Sequence, residues 1–345
     1  MITLSVAGIM AAVGYLLLDF GGSESIQTPS DPTGFITFTA HESGTDRNFP
    51  QIYDVVNKEF LSPTNNSDTF YIQTVPGQIT AYIQAQFFER TPADMSYPFT
   101  GNPQLVRGSD SLELNVISPG ELSWSSEAQQ FTFHGLSQNI TRSTEPGYYF
   151  APENYQNSAN WGVYTADLQT GVVQEIVSGH SPVWSVDGEY VFYLTVSGVH
   201  VYEISSGLSW AVISLPERLP TPASSLAVSS DGGTLHVLTT AAAISPDRLF
   251  LYDVSTLNEI DLANASFQLL RMVNLPDGKY GDYTISPDDN YASVISYGSG
   301  SFKTHLLNLQ TEKMTMELEF EWLGLEKYYH YPYLSWTTLS PSSMD

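Results

Sequence analysis

From residue 34 onward, short runs rich in Val, Ile, Tyr, Phe and Thr are cut by Asp-Gly, Pro-Gly, Ser-Gly and Pro-Asp pairs. Alternation between turn signals predicts β-strands, and no helical period lasts more than two turns. One pattern recurs: an apolar strand, a Ser, a turn of Asp, Gly or Asn, then a second apolar strand. It reads SPVWSVDGEYVFYL at 181–194, SLAVSSDGGTLHVL at 225–238 and DYTISPDDNYASVI at 282–295, with an altered turn in ELSWSSEAQQFTFH at 121–134. Each copy predicts a hairpin.

A second pattern follows each hairpin, a strand running into another turn: QIYDVVNKE, GVYTADLQTG, HVYEISSG, FLYDVSTLN and HLLNLQTE. Its markers Tyr53, Tyr164, Tyr202, Tyr252 and Leu307 stand 111, 38, 50 and 55 residues apart. The first interval is double, so a degenerate unit is expected at 66–118, with a hairpin around Pro76-Gly77 and its third strand at 111–116. Six units of four short strands predict an all-β fold, a six-bladed β-propeller. The first unit starts at its second strand, ITFTAHES, and the lone strand in HYPYLSWTTLSP at 330–341 supplies its missing first strand. Pairing them closes the ring without an open edge. The expected blades are 34–61 with 330–341, then 66–118, 119–178, 179–217, 220–268 and 275–320. An open stack or a sandwich is the competing architecture.

The N-terminus breaks the pattern. Ile2–Leu18 is 17 residues without a charge, about 26 Å as a helix, which predicts one transmembrane helix over residues 1–20. No Lys or Arg precedes the run and no A-x-A-like site follows it, which argues against a cleaved signal. A helix buried in a filament is a third reading. Gly8 with Ala12, and Ala7 with Ala11, present small residues where another helix could pack. Acids follow the run and only the terminal amine precedes it, so the expected orientation is N-terminus inside and body outside. Residues 21–33, GGSESIQTPSDPT, read as a tether to the propeller at 34–345.

Charge narrows the function. Twelve Lys+Arg against 37 Asp+Glu give a net charge of −25, and a nucleic-acid binder needs clustered cations, so no nucleic acid is expected as a partner. Cysteine is absent, which removes disulfides, thiolate metal sites and thiol nucleophiles. No G-x-S-x-G, G-x-x-x-x-G-K-[ST], G-x-G-x-x-G or H-E-x-x-H occurs,. Ala166–Gly171, ADLQTG, resembles a fragment of the quinoprotein propeller repeat but occurs once and lacks the following Trp. No cofactor and no metal are expected. The seven histidines are scattered, and core or surface placement is expected of His134, His180, His200 and His236 before any metal role. Glu317, Glu319 and Glu321 share one strand face, expected to be a solvated outer edge. Aromatics gather in two loops, Tyr148, Tyr149, Phe150 and Tyr155 in one and Tyr328, Tyr329 and Tyr331 in the other, as candidate partner surfaces; loops folded down onto the propeller face explain them equally well. Asn65, Asn139 and Asn264 head glycosylation sequons.

SPVWSVDGEYVFYL at 181–194 closely resembles the repeat motif of TolB-like and WD40-like propellers, TISPDDNYASVI resembles it less closely, and ITFTAHES with QIYDVV is similar to the same pattern. The resemblance implies that Trp184, Ser185, Asp187 and Gly188 pack and cap a blade. That family spans scaffolds, gating domains and enzymes, so function stays open. The expectation is a membrane-anchored propeller on the periplasmic or extracellular side, acting as a non-catalytic scaffold or interaction subunit. Its expected partners are other membrane protein subunits and, through residues 2–20, the lipid bilayer. The competing class is an enzyme or ligand-binding propeller that acts on a sugar or peptide through its central channel.

Overall fold

The computed structural model describes residues 31–41, 48–61, 69–75, 79–84, 103–107, 109–125, 129–136, 160–214, 225–239, 248–258, 261–262, 265–275, 279–297, 301–321 and 334–337. The chain divides into two units, Met1–Asp31 and Pro32–Asp345. The expected membrane helix, with Gly8, Ala11 and Ala12, and the tether up to residue 30 lie outside the described residues. Among those described, no helix is long and apolar enough to cross a membrane.

The second unit is an all-β propeller. Strands β1 (Phe35–His41), β2 (Asn48–Asp54) and β3 (Glu59–Leu61) open it. Blade two follows as β4 (Thr69–Val75), β5 (Ile79–Gln84), β6 (Gln104–Arg107) and β7 (Asp110–Glu113). Blade three is β8 (Ile117–Trp124), β9 (Gln130–Leu136), β10 (Trp161–Asp167) and β11 (Val173–Ser178). Blade four is β12 (His180–Trp184), β13 (Tyr190–Thr195), β14 (Gly198–Glu203) and β15 (Leu208–Ser214). Blade five is β16 (Ser225–Val228), β17 (Thr234–Thr239), β18 (Arg248–Asp253) and β19 (Gln268–Asn274). Blade six is β20 (Lys279–Ile285), β21 (Tyr291–Tyr297), β22 (Ser301–Asn308) and β23 (Lys313–Glu321), and β24 (Ser335–Thr337) ends the series.

Five sheets thus consist of four consecutive antiparallel strands, and a terminal sheet has the order β24-β1-β2-β3. Its closing pairs are Phe35 with Thr337, Ile36 with Trp336 and Thr37 with Ser335. The innermost strands touch in the order β4, β8, β12, β16, β20, β24 and back to β4, so the ring closes. The expected third strand of blade two at 111–116 is instead its fourth, β7, because β6 at Gln104–Arg107 takes the third place. Blade three begins at Ile117 rather than 119, and blade five does not stop at 268, because β19 continues to Asn274 as its outer strand.

Burial explains the strand patterns. The middle strands carry near-continuous apolar runs because both of their faces are covered: all of Tyr190–Leu194 is buried in β13, and Phe131–Leu136 in β9. The outer strands β11, β15 and β19 are mostly exposed or half-buried. There is accordingly no single core. Phe192, Val199 and Val201 of blade four pack with Leu235, Val237 and Phe250 of blade five. Leu249 and Val273 pack with Val294 and Leu307 of blade six, and Tyr291 and Ile295 pack with Ile36, Tyr53 and Trp336 of the terminal sheet. Each apolar layer lies between two sheets, so every blade depends on its neighbours.

The repeated Ser and acids are turn chemistry. In blades four, five and six the backbone N–H of Ser185, Ser229 and Ser286 donates to the carbonyl of Tyr190, Thr234 and Tyr291 at 2.8–2.9 Å. Each serine hydroxyl donates to the acid two residues on: to Asp187 at 2.5 Å, Asp231 at 2.6 Å and Asp288 at 2.5 Å. It also accepts the N–H that opens the next strand. The turn then needs a left-handed residue, supplied by Gly188 (φ 75°), Gly232 (φ 74°) and, in blade six, Asp289 (φ 57°),. At the third turn of a blade, Asp54, Asp167 and Asn308 each accept two backbone N–H groups through Oδ1 at 2.8–3.0 Å. The ADLQTG stretch is one of these turns.

Because Phe192 is fully buried between blades four and five, Phe192→Ala should cost about 3–5 kcal/mol by leaving a cavity. The check is the urea midpoint at unchanged slope; a loss below about 1 kcal/mol would contradict the inter-blade packing.

Candidate functional site

Up-down strand order puts the first and third turns of each blade on one face of the ring. There the innermost strands enclose a cavity of about 330 Å³, lined by Glu121, Leu122 and Ser123 of β8, Pro182 and Val183 of β12, and Ser225–Val228 of β16. Tyr283–Ile285 of β20 and Leu334 and Trp336 of the terminal sheet complete the wall, with Ser230, Ser286, Pro287 and Asp289 at the turns. Hydroxyls and two carboxylates punctuate an apolar wall, and no Lys, Arg or His is among these residues. This is the mix of an apolar lining and a few placed polar groups that small-ligand sites use.

Both carboxylates sit on left-handed backbone, Glu121 at φ 49° and Asp289 at φ 57°, a conformation costly for a residue with a Cβ. At Asp289 the compensation is visible: its carboxylate accepts the N–H of Ser230 at 2.9 and 3.0 Å and the Ser230 hydroxyl at 2.5 Å, tying blade six to blade five. Burial, with Asp231 and Asp288 nearby, pushes its carboxyl above the ordinary range,.

Behind Glu121, between blades three and four, lies a polar group buried in the wall. His134 Nδ1 stands 3.4 Å from Glu121 Oε2 and accepts the Ser181 N–H at 3.3 Å. Ser181 is itself at φ 50°, where the β12–β13 register shifts between His180 and Val183. Its hydroxyl lies 3.1 Å from His180 Nδ1, while His180 Nε2 is buried without a hydrogen-bond partner. Trp161 closes the group edge-on to His134, ring centres 5.0 Å apart. Burial, then the neighbouring His134, push His180 down to about 3. Between blades five and six, His236 Nδ1 lies 2.6 Å from the Tyr283 hydroxyl, and burial followed by Arg271 lowers His236 to about 4. Burial keeps His180 and His236 neutral as inter-blade ties, and among the described residues no three His, Asp or Glu gather as metal ligands. His305 likewise pairs with Ser296 at 2.7 Å, and His200 is half-buried beside Ser197.

The outer rim presents a second surface. On β19, the outermost strand of blade five, Leu269, Leu270 and Met272 are 45%, 52% and 40% exposed. Leu208 on β15, the outermost strand of blade four, is exposed too. The candidate loop aromatics Tyr148, Tyr149, Phe150, Tyr155, Tyr328, Tyr329 and Tyr331, and the sequons at Asn65, Asn139 and Asn264, lie outside the described residues. Glu317, Glu319 and Glu321 fall on β23, the outermost strand of blade six. The Trp184 ring is buried between blades three and four, and the Trp184 backbone N–H donates to the Ser123 hydroxyl at 3.0 Å, so the repeat tryptophan packs its blade. Glu121 and Asp289 fall within the repeated stretches 121–134 and 282–295, where nothing in the pattern marks them as lining a cavity, and the β19 strip has no motif.

No protein-family model matches the chain, and no curated protein matches it. Solved structures do. TolB from Acinetobacter baumannii superposes with a TM-score of 0.53 at 15% identity, over 96% of this chain and 71% of that one. The chain is a β-propeller with structural similarity to TolB. A chain of the nidogen/laminin complex superposes equally well, TM-score 0.53 at 7% identity, over 90% of this chain and all of that one. At such identities these likenesses establish the fold alone.

The buried histidines set an acid sensitivity. The folded pKa values of His180 and His236 lie below the ordinary value near 6.5,. Between about pH 6.5 and 4, the unfolded chain therefore takes up protons that the folded chain refuses, and stability falls as pH falls. Denaturant midpoints at pH 7.5 and 5.0 should separate for the wild type and converge for His180→Gln with His236→Gln; equal separations in both would contradict the assignment.

Proposed function

We propose that this chain is a non-catalytic interaction subunit of a membrane assembly. Residues 2–20 anchor it with the N-terminus inside, and the propeller stands on the periplasmic or extracellular side. The observation that carries the reading is the apolar strip on β19. Outer strands of soluble propellers are expected to be polar, and an exposed apolar edge strand invites pairing. Leu269, Leu270 and Met272 lie along an edge that no described strand covers, the geometry that accepts an extended segment as an added strand. The occupant is a segment of another subunit, apolar with basic flanks: two copies carrying −25 each repel, whereas cationic residues beside the strand are drawn to the acidic rim.

The test uses the full chain extracted in mild detergent. It should elute with other membrane subunits at fixed stoichiometry, and Leu270→Lys with Met272→Lys should release them while shifting the urea midpoint by no more than about 0.5 kcal/mol, as exposed positions do. A wild-type chain that elutes alone, or a variant that keeps its partners, would overturn the reading.

A further inference from the structure

We infer that the central cavity is a binding site for a small organic ammonium ion. The inference is independent of the rim, since the cavity lies at the ring's centre and β19 on its circumference. It starts from unbalanced charge. Glu121 on β8 and Asp289 beside β20 belong to opposite positions of the six-membered ring of innermost strands. Among the described residues that line the wall there is no Lys, Arg or His, and β4, the sixth innermost strand, has none in its sequence TFYIQTV.

Among the described residues, no Lys or Arg partners either acid. Asp289 receives the N–H and hydroxyl of Ser230. His134 Nδ1 stands 3.4 Å from Glu121 Oε2 and accepts the Ser181 N–H. Taking carboxylates out of water without a cation is costly, and the raised pKa of Asp289 reflects that cost,. A cationic guest offsets it at both ends.

The rest of the wall selects the kind of cation. No three His, Asp or Glu among the described residues meet as a metal shell, and Leu122, Val183, Leu226 and Leu334 make much of the lining apolar. A bare divalent ion would find too few oxygens there, while alkyl groups on nitrogen find matching surface. Trp336 borders the same wall, packed with Ile36, Tyr53 and Tyr291 and with its indole N–H engaged with the Thr33 carbonyl at 2.8 Å. The hydroxyls of Ser225, Ser230 and Thr284 supply acceptors for N–H or O–H groups on the guest. At about 330 Å³ the cavity admits a molecule of that size and excludes a folded domain.

The test is calorimetric titration of the full chain in detergent at matched ionic strength, with choline and putrescine as probes and glucose, sodium acetate and calcium chloride as controls. At least one amine should bind saturably, and Glu121→Gln and Asp289→Asn should each weaken it about tenfold or more, with Tm in the absence of ligand near wild type. Asn tolerates left-handed backbone; should Asp289→Asn nevertheless lose stability, Val183→Lys, which places an ammonium inside the wall, is the second variant and should abolish binding. Failure of both amines to bind, equal binding of glucose or calcium, or unchanged affinity in Glu121→Gln and Val183→Lys would overturn the inference.

Discussion

Everything in this fold depends on sheets burying both faces against one another, so the ring has to close. The closure is small: three residues, Ser335–Thr337, pair with Phe35–Thr37, and Trp336 packs with Ile36, Tyr53 and Tyr291 while its indole N–H reaches the Thr33 carbonyl. Without it, the apolar faces of blade six and of the terminal sheet would both meet water. Hydrophobic burial here is shared between neighbours, as in repeat proteins, with the difference that a closed ring has no ends to cap. With no cysteine in the chain, this packing and the turn hydrogen bonds carry the stability.

Closure also creates the places where function can reside. Six innermost strands meeting around an axis leave a cavity whose wall is set by whichever residues face inward, and among the described lining residues two are acids and none is Lys or Arg. Four-stranded sheets seen end-on leave an outermost strand each, and blade five spends three large apolar side chains on that exposed position. The cavity accommodates small molecules and the rim accommodates extended chain segments. The two need not compete.

Much of the fold was legible because its turns are written in a local code. Ser185, Ser229 and Ser286, each two residues before an acid, mark the first turn of a blade, and Asp54, Asp167, Asp253 and Asn308 mark the third. Both devices act within five residues, so spacing along the chain reveals them. The continuous apolar runs of the middle strands mark burial on both faces. The outer strand of blade five was less legible at its far end: QLLRMVN carries exposed apolar residues that neither alternation nor polarity distinguishes from a buried strand, so the expected boundary fell at 268 rather than 274. The candidate site was scarcely legible. Glu121 and Asp289 look like any of 37 acids, and what sets them apart, left-handed backbone and a position facing the axis, depends on strands more than 150 residues apart. The acids of the turns, Asp187, Asp231 and Asp288, are exposed, whereas Glu121 and Asp289 are half-buried.

Amide hydrogen exchange across β1 and β24, read in the wild type and in Trp336→Ala, tests ring closure most directly. Closure predicts that the amides of Ile36–Phe38 are protected to the same order as those of β13 and β17, and that Trp336→Ala removes protection from β1, β21 and β24 together. Rapid exchange of β1 in the wild type while β13 and β17 stay protected, or protection of β1 that survives Trp336→Ala, would contradict it.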